Sequence, residues 1–105
     1  MDRKKLEKIA ATIVEKFDPV RVVVFGSHAR GASTEDSDLD LFVEMETDRR
    51  PPERAIEVSE IFGLRSWPLD VVVYTPAEVE RLRKVRGTLL SAIEAEGEVL
   101  YERRT

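Results

Sequence analysis

Two aspartates separated by one leucine, Asp38-Leu39-Asp40, sit at the start of an apolar run, DLDLFVE. On an extended strand alternate side chains share a face, so Asp38 and Asp40 point the same way with Cα atoms about 6.6 Å apart. Leu39, Leu41 and Val43 then lie on the opposite face and can enter a core. Two neighbouring carboxylates repel, and each raises the other's proton affinity unless a cation intervenes. Mg²⁺ answers that need, because it takes hard oxygen ligands from one or two carboxylates and completes its shell with substrate phosphates. The bland alternative is a solvated acidic strand end. A third acid, Asp70, lies in the run LDVVVY. If that run pairs beside the first, Asp70 completes a three-carboxylate cluster of the kind that holds two metals about 3.5–4 Å apart for in-line phosphoryl or nucleotidyl displacement. Its alternative is a solvated residue at a strand start.

Upstream stands Gly26-Ser27, directly after VRVVVF. Glycine lets a bulky ligand approach the backbone, and the N–H groups that follow suit phosphate. Ser27 adds a hydroxyl donor, and Arg30 adds a fork of donors matched to phosphate oxygens. Gly-Ser alone is equally an ordinary turn. His28 is the only histidine, so neither a histidine zinc site nor a Ser-His-Asp triad has its parts. It reads as a solvent-facing loop residue, or as a phosphate contact from within the turn. Trp67 and Tyr74 can stack on a base or simply pack, and the basic stretch 81–86, RLRKVR, reads as a solvated helix face or a contact for an acidic partner.

The elements that must position these residues follow from periodicity. Leu6, Ile9, Ala10, Ile13, Val14 and Phe17 form one helical stripe over residues 3–17, ended by Asp18-Pro19. Residues 20–25 are a largely buried strand, 28–31 one short helical turn, 32–36 a polar loop and 38–44 a second strand. A helix begins at Pro51 or Pro52, carries Ala55, Val58, Ile61 and Phe62 on its apolar face, and is capped by Gly63. Residues 69–74 form a third strand. Thr75-Pro76-Ala77-Glu78 is a capping box that starts a helix running toward Glu96, interrupted near Gly87, and 99–101 form a short final strand. The order α-β-turn-β-α-β-α describes an α/β (α+β) fold, a small mixed sheet with helices packed on it.

The chain has 105 residues, enough for one domain spanning 1–105. No apolar run reaches the ~20 residues of a membrane span, and residues 1–10 hold no apolar signal-peptide core, so a cytoplasmic protein is expected. With no cysteine, disulfides and thiolate chemistry are excluded. A net charge of −4 from 17 basic and 21 acidic residues does not advertise nucleic-acid binding. The 36% charged content, with no Asn or Gln, matches thermophile composition.

The stretch 26–41, GSHARGASTEDSDLDL, resembles the signature of the nucleotidyltransferase superfamily related to DNA polymerase beta: Gly-Ser, an Arg-Gly shortly after, then Ser-Asp-x-Asp. In length and in its Gly-Ser-x-Ala-Arg-Gly pattern it is most similar to the minimal nucleotidyltransferases, and the likeness covers residues 20–74. The resemblance implies a polymerase beta-like palm fold and transfer of NMP, AMP from ATP above all, to a hydroxyl. It implies that Gly26, Ser27, Arg30 and Ser37 bind the nucleotide, that Asp38 and Asp40 bind magnesium, two ions in all, and that Asp70 is the third carboxylate, which helps activate the hydroxyl. Some minimal members lack that acid; here Asp70 stands where the family places it.

Minimal members are commonly encoded beside a small helical HEPN protein as a toxin–antitoxin pair. There the nucleotidyltransferase neutralises a ribonuclease, either by adenylylating a toxin tyrosine or by complex formation alone. The resemblance therefore implies a HEPN-domain partner in a hetero-oligomer, with a homo-oligomer also open. The competing expectation is a non-catalytic nucleotide-binding or regulatory module.

Overall fold

The computed structural model describes residues 2–31 and 37–104; the polar loop expected over 32–36 lies outside them. Helix α1, Arg3–Phe17, begins where the Asp2 carboxylate accepts from the Lys5 N–H at 2.8 Å. It stops at Asp18, whose φ of 48° is left-handed and whose N–H still donates to the Val14 carbonyl. Strands β1 (Arg21–Phe25) and β2 (Leu39–Glu44) follow, then α2 (Pro51–Glu60), β3 (Leu69–Tyr74), α3 (Pro76–Leu82), α4 (Leu89–Glu96) and β4 (Glu98–Glu102).

The strands form one mixed sheet in the order β3-β2-β1-β4. Strand β1 runs antiparallel to both β2 and β4, whereas β2 and β3 are parallel. Each face of the sheet buries its own helices. Val22, Val24, Leu39, Leu41, Val43, Val71 and Val73 pack against Leu6, Ile9, Ile13 and Val58 of α1 and α2. Val23 and Phe42, with Val72 and Tyr74 at their margin, pack against Val79, Leu90 and Ile93 of α3 and α4. The opposite-face placement expected of Leu39, Leu41 and Val43 is thus what the sheet displays. Fully burying such a side chain contributes about 1.5–3 kcal/mol, so two helix layers hold a sheet of only four strands rigidly.

An ionic knot, buried at Arg21 and Glu44 and solvated at Glu94 and Arg83, ties α4 to one end of the second face. Arg21 Nε donates to Glu44 at 2.7 Å and its Nη2 to Glu94 at 3.1 Å, while its guanidinium lies 5.2 Å from the Phe42 ring centroid. Arg83 grips the same Glu94 through both nitrogens, at 2.8 and 3.3 Å. A second knot joins α2 to α3: buried Arg54 donates to Glu78 at 2.7 Å and to the Arg49 and Val73 carbonyls. That Glu78 also completes the capping box with Thr75.

Three boundaries differ from the sequence expectation. The helix opened by the capping box ends at Leu82, and the interruption expected near Gly87 takes in residues 83–88 before α4 starts at Leu89. Residues 83–86 are therefore a turn rather than a helix face. Helix α2 ends at Glu60 with Ile61 as its cap residue, and Gly63, at φ 56°, serves the next turn. Strand β2 begins at Leu39, leaving Asp38 just outside: the ladder with β1 ends at Phe25–Asp40, and that with β3 starts at Leu39–Leu69. Among the described residues no helix is long and apolar enough to cross a membrane.

Candidate active site

The C-terminal end of β1 and the N-terminal ends of β2 and β3 meet at one edge of the sheet. On the face that carries Phe42 and Val72, Asp40 stands opposite Phe25 in the antiparallel register and opposite Asp70 in the parallel one. Cross-strand partners share a face, so the Asp40 and Asp70 carboxylates are neighbours. The expectation that β3 lies beside β2 is met, and it sets Asp70 next to Asp40.

Asp40 is half-buried while Asp38 and Asp70 are exposed. Burial raises the proton affinity of the Asp40 carboxyl above the ordinary carboxylate range, and the charges of Asp70 and Asp38 raise it further; His28 and Arg30 oppose the shift. Those five groups share one electrostatic neighbourhood.

Gly26 is the hinge of this neighbourhood. Its φ of 73° is left-handed, and a Cβ there would lie 3.2 Å from the Asp40 Cγ and nearer still to Oδ2. Only glycine satisfies both constraints. After it, residues 26–31 form a single hydrogen-bonded turn, with the Arg30 N–H donating to the Gly26 carbonyl at 3.2 Å and Gly31 again left-handed at 71°. Ser27 lies half-buried inside this turn. Exposed Arg30 leans 3.7 Å from Glu96, a loose pair that a phosphate can displace. Ser37 is half-buried immediately before Asp38.

His28 is the residue that sequence reasoning placed least well. It is half-buried, its Nε2 is enclosed with no hydrogen-bond partner among the described residues, and its charge acts on Asp40. No periodicity in a six-residue turn signals this. Trp67 packs edge-on against Phe62 at 5.6 Å beneath Arg65, and Tyr74 packs against Phe42 at 5.7 Å. Tyr74 pairs with Glu44 at the far end of β2, four residues and about 13 Å from Asp40.

The donor set suits a divalent cation. It offers hard carboxylate oxygens, one of them carrying an electrostatic penalty that a cation removes. Among the described residues no three His, Asp or Glu side chains come together closely enough to hold a metal ion, so the expected three-carboxylate cluster is not assembled in this structure. An ion held here takes its remaining ligands from phosphate and water, as Mg²⁺ does.

This mixed sheet, with its glycine turn set against paired aspartates, defines a nucleotide-transfer architecture, and the family comparison agrees. The nucleotidyltransferase domain family model matches residues 5–103, and the chain belongs to that family. No curated protein matches it in sequence. Among solved structures it is similar to a protein assigned as a nucleotidyltransferase from Sulfolobus solfataricus, with TM-score 0.64 and 21% identity over 96% of this chain and 80% of that one. It is also similar to a toxin–antitoxin structure with AMP-PNP, at TM-score 0.60 and 18% identity over 99% of this chain and 76% of that one. A third likeness, at TM-score 0.59 and 17% identity over the same shares, is to a double Asp-to-Glu mutant of the toxin–antitoxin pair MntA–HpeT. These likenesses establish a shared fold.

Proposed function

We propose that this chain is a magnesium-dependent nucleotidyltransferase, a single domain over residues 1–105, that moves AMP from ATP to a hydroxyl on a partner protein. We place it as the antitoxin of a HEPN/MNT-type toxin–antitoxin pair. The observation that carries this reading is the juxtaposition of Asp40 with Asp70 in parallel register, beside a glycine whose missing side chain leaves Asp40 accessible. The neighbour with AMP-PNP and the neighbour altered at two aspartates spaced two apart support it, since Asp38 and Asp40 have that spacing here.

Asp38, Asp40 and Asp70 hold the metal, two ions in the full reaction. Magnesium, when bound, neutralises the triphosphate and acidifies the acceptor hydroxyl. The Gly26 backbone admits the phosphates closely, and the Ser27 hydroxyl and Arg30 guanidinium donate to their oxygens. Ser37 flanks the nucleotide from the start of β2. Asp70, on the open side of the cluster, accepts the acceptor's proton and passes it to water. The acceptor oxygen then bonds to the α-phosphorus, the α–β phosphoanhydride bond breaks, and pyrophosphate leaves.

The test is to co-purify the chain with the product of the adjacent reading frame, incubate with ATP and MgCl₂, and weigh that product by mass spectrometry. A gain of one or more AMP groups on a tyrosine, lost in the Asp38→Asn/Asp40→Asn variant, is expected. Neutralisation of the partner without any mass gain, and undiminished in the variant, identifies binding alone as the function.

A further inference from the structure

We infer that the open edge of β3 docks an extended polypeptide segment, which adds to the sheet as a fifth strand and brings its hydroxyl-bearing residue beside Asp70. The identity of the hydroxyl as acceptor rests on the transfer reading above; the docking rests on the geometry of the edge.

β3 is the terminal strand of the sheet. The Leu39 N–H donates to the Pro68 carbonyl at 2.9 Å, and the Met45 N–H to the Tyr74 carbonyl at 3.0 Å, so carbonyls 68 and 74 face β2. Alternation along the strand turns those of 70 and 72 inward too, and turns the N–H and C=O groups of Leu69, Val71 and Val73 outward. The outward assignment agrees with Arg54, whose Nη1 donates to the Val73 carbonyl at 3.3 Å from outside the sheet. Arg54 thus covers one end of the edge. Among the described residues nothing pairs with the outward groups of Leu69 and Val71. An uncovered edge of this kind is a template for another chain, and proteins normally blunt it.

A groove of about 450 Å³ runs along this uncovered stretch, between Ala55, Ile56 and Ser59 of α2 and Leu69, Asp70 and Val71 of β3. Ile56, on the side of α2 away from the buried Arg54 and Val58, is 57% exposed on its wall. An added strand sits about 4.8 Å outside β3, and its side chains alternate between the two faces. On the α2 face, two alternate apolar side chains enter the groove against Ile56. The residue between them projects to the other face, level with Asp70. Anchoring and presentation are thus done by opposite faces of one segment.

Charge narrows the occupant. Glu60 borders the groove without an ion-pair partner among the described residues, while the groove's one cation there, Arg65, is drawn over the Trp67 ring. The segment that fits is extended, apolar at alternate positions, basic at one flank, and carries a central hydroxyl.

The test uses a synthetic library of nine-residue peptides, each with a central tyrosine and randomised flanks, retained on immobilised protein and read by mass spectrometry. Three forms are compared: wild type, Leu69→Pro, and Ile56→Glu. Leu69 opens its strand, so proline there deletes an outward N–H without breaking the ladder to β2, and trims a side chain at the core margin; circular dichroism and ATP binding confirm that both variants are folded. Wild type is expected to retain peptides with alternate apolar residues and a basic flank, and the variants to bind them at least ten-fold more weakly. Hydrogen exchange at the Leu69 and Val71 amides slows in the bound wild type. No retention, equal retention by all three forms, or retention without slowed exchange overturns the inference. Peptides that bind as expected but receive no AMP leave the docking intact and count against the transfer reading; equal transfer by Leu69→Pro does the reverse.

Discussion

Asp40, on a central strand, and Asp70, on the edge strand, are parallel register partners whose carboxylates share one face of the sheet. Burial and this facing charge raise the Asp40 proton affinity, and Gly26 is pressed against the same carboxylate. A fold that served only its own stability would not gather these groups at one strand end. In the proposed reaction a cation and a polyphosphate would offset that cost.

Gly26→Ala is expected to damage both fold and site. The left-handed φ alone costs about 1–2 kcal/mol for a residue with a Cβ, and the collision with Asp40 adds displacement of that carboxylate. A melting temperature lowered by several degrees, together with loss of nucleotide transfer, checks this. Wild-type stability in that variant would show that the turn is more pliable than described.

Asp40→Asn is expected to stabilise the metal-free protein while abolishing transfer. It removes a charge that burial and the acids Asp70 and Asp38 disfavour. The gain is on the order of 1 kcal/mol, a few degrees in a domain of this size. Adding MgCl₂ and ATP should raise the melting temperature of the wild type and not that of the variant. Thermal scans with and without the two ligands decide it.

Glu94 governs part of the acid sensitivity. Its hydrogen bond from Arg83, helped by one from Arg21, holds the carboxyl below the ordinary value of 4.5 despite partial burial. A depressed carboxyl contributes stability that is present above the unfolded-state pKa and lost as pH falls through the folded one. Glu94 and Arg83 are both substantially solvated, which limits the contribution to about 0.5 kcal/mol. Glu94→Gln should therefore lower stability slightly at pH 7, and the difference should shrink as the pH drops below 4.5. Urea titrations of both proteins at pH 7 and pH 3.5 test the sign.

Local rules carried the helices and strands further than the contacts between them. The apolar stripe from Leu6 to Phe17 and the Asp18-Pro19 stop mark α1 to the residue, and Thr75-Pro76 marks the start of α3. These signals operate within a turn or two of chain. Asp38 lies outside β2 because the ladder with β3 starts at Leu69 and that with β1 stops at Phe25, and no residue near Asp38 encodes either limit. The same holds for the knot of Arg21 with Glu94 across 73 positions. At the site, the spacing of Asp38 and Asp40 and the apolar run behind Asp70 were legible as strand chemistry. The closeness of His28 to Asp40 was not, since it depends on how one short turn folds over the strand ends.

The most direct measurement of the central claim is transfer of label to the co-purified partner from ATP labelled either in the α- or in the γ-phosphate, with MgCl₂ present. The account predicts α-label on the partner, no γ-label, and no transfer by Asp38→Asn/Asp40→Asn. Transfer of γ-label, or α-label transfer undiminished in that variant, would contradict it.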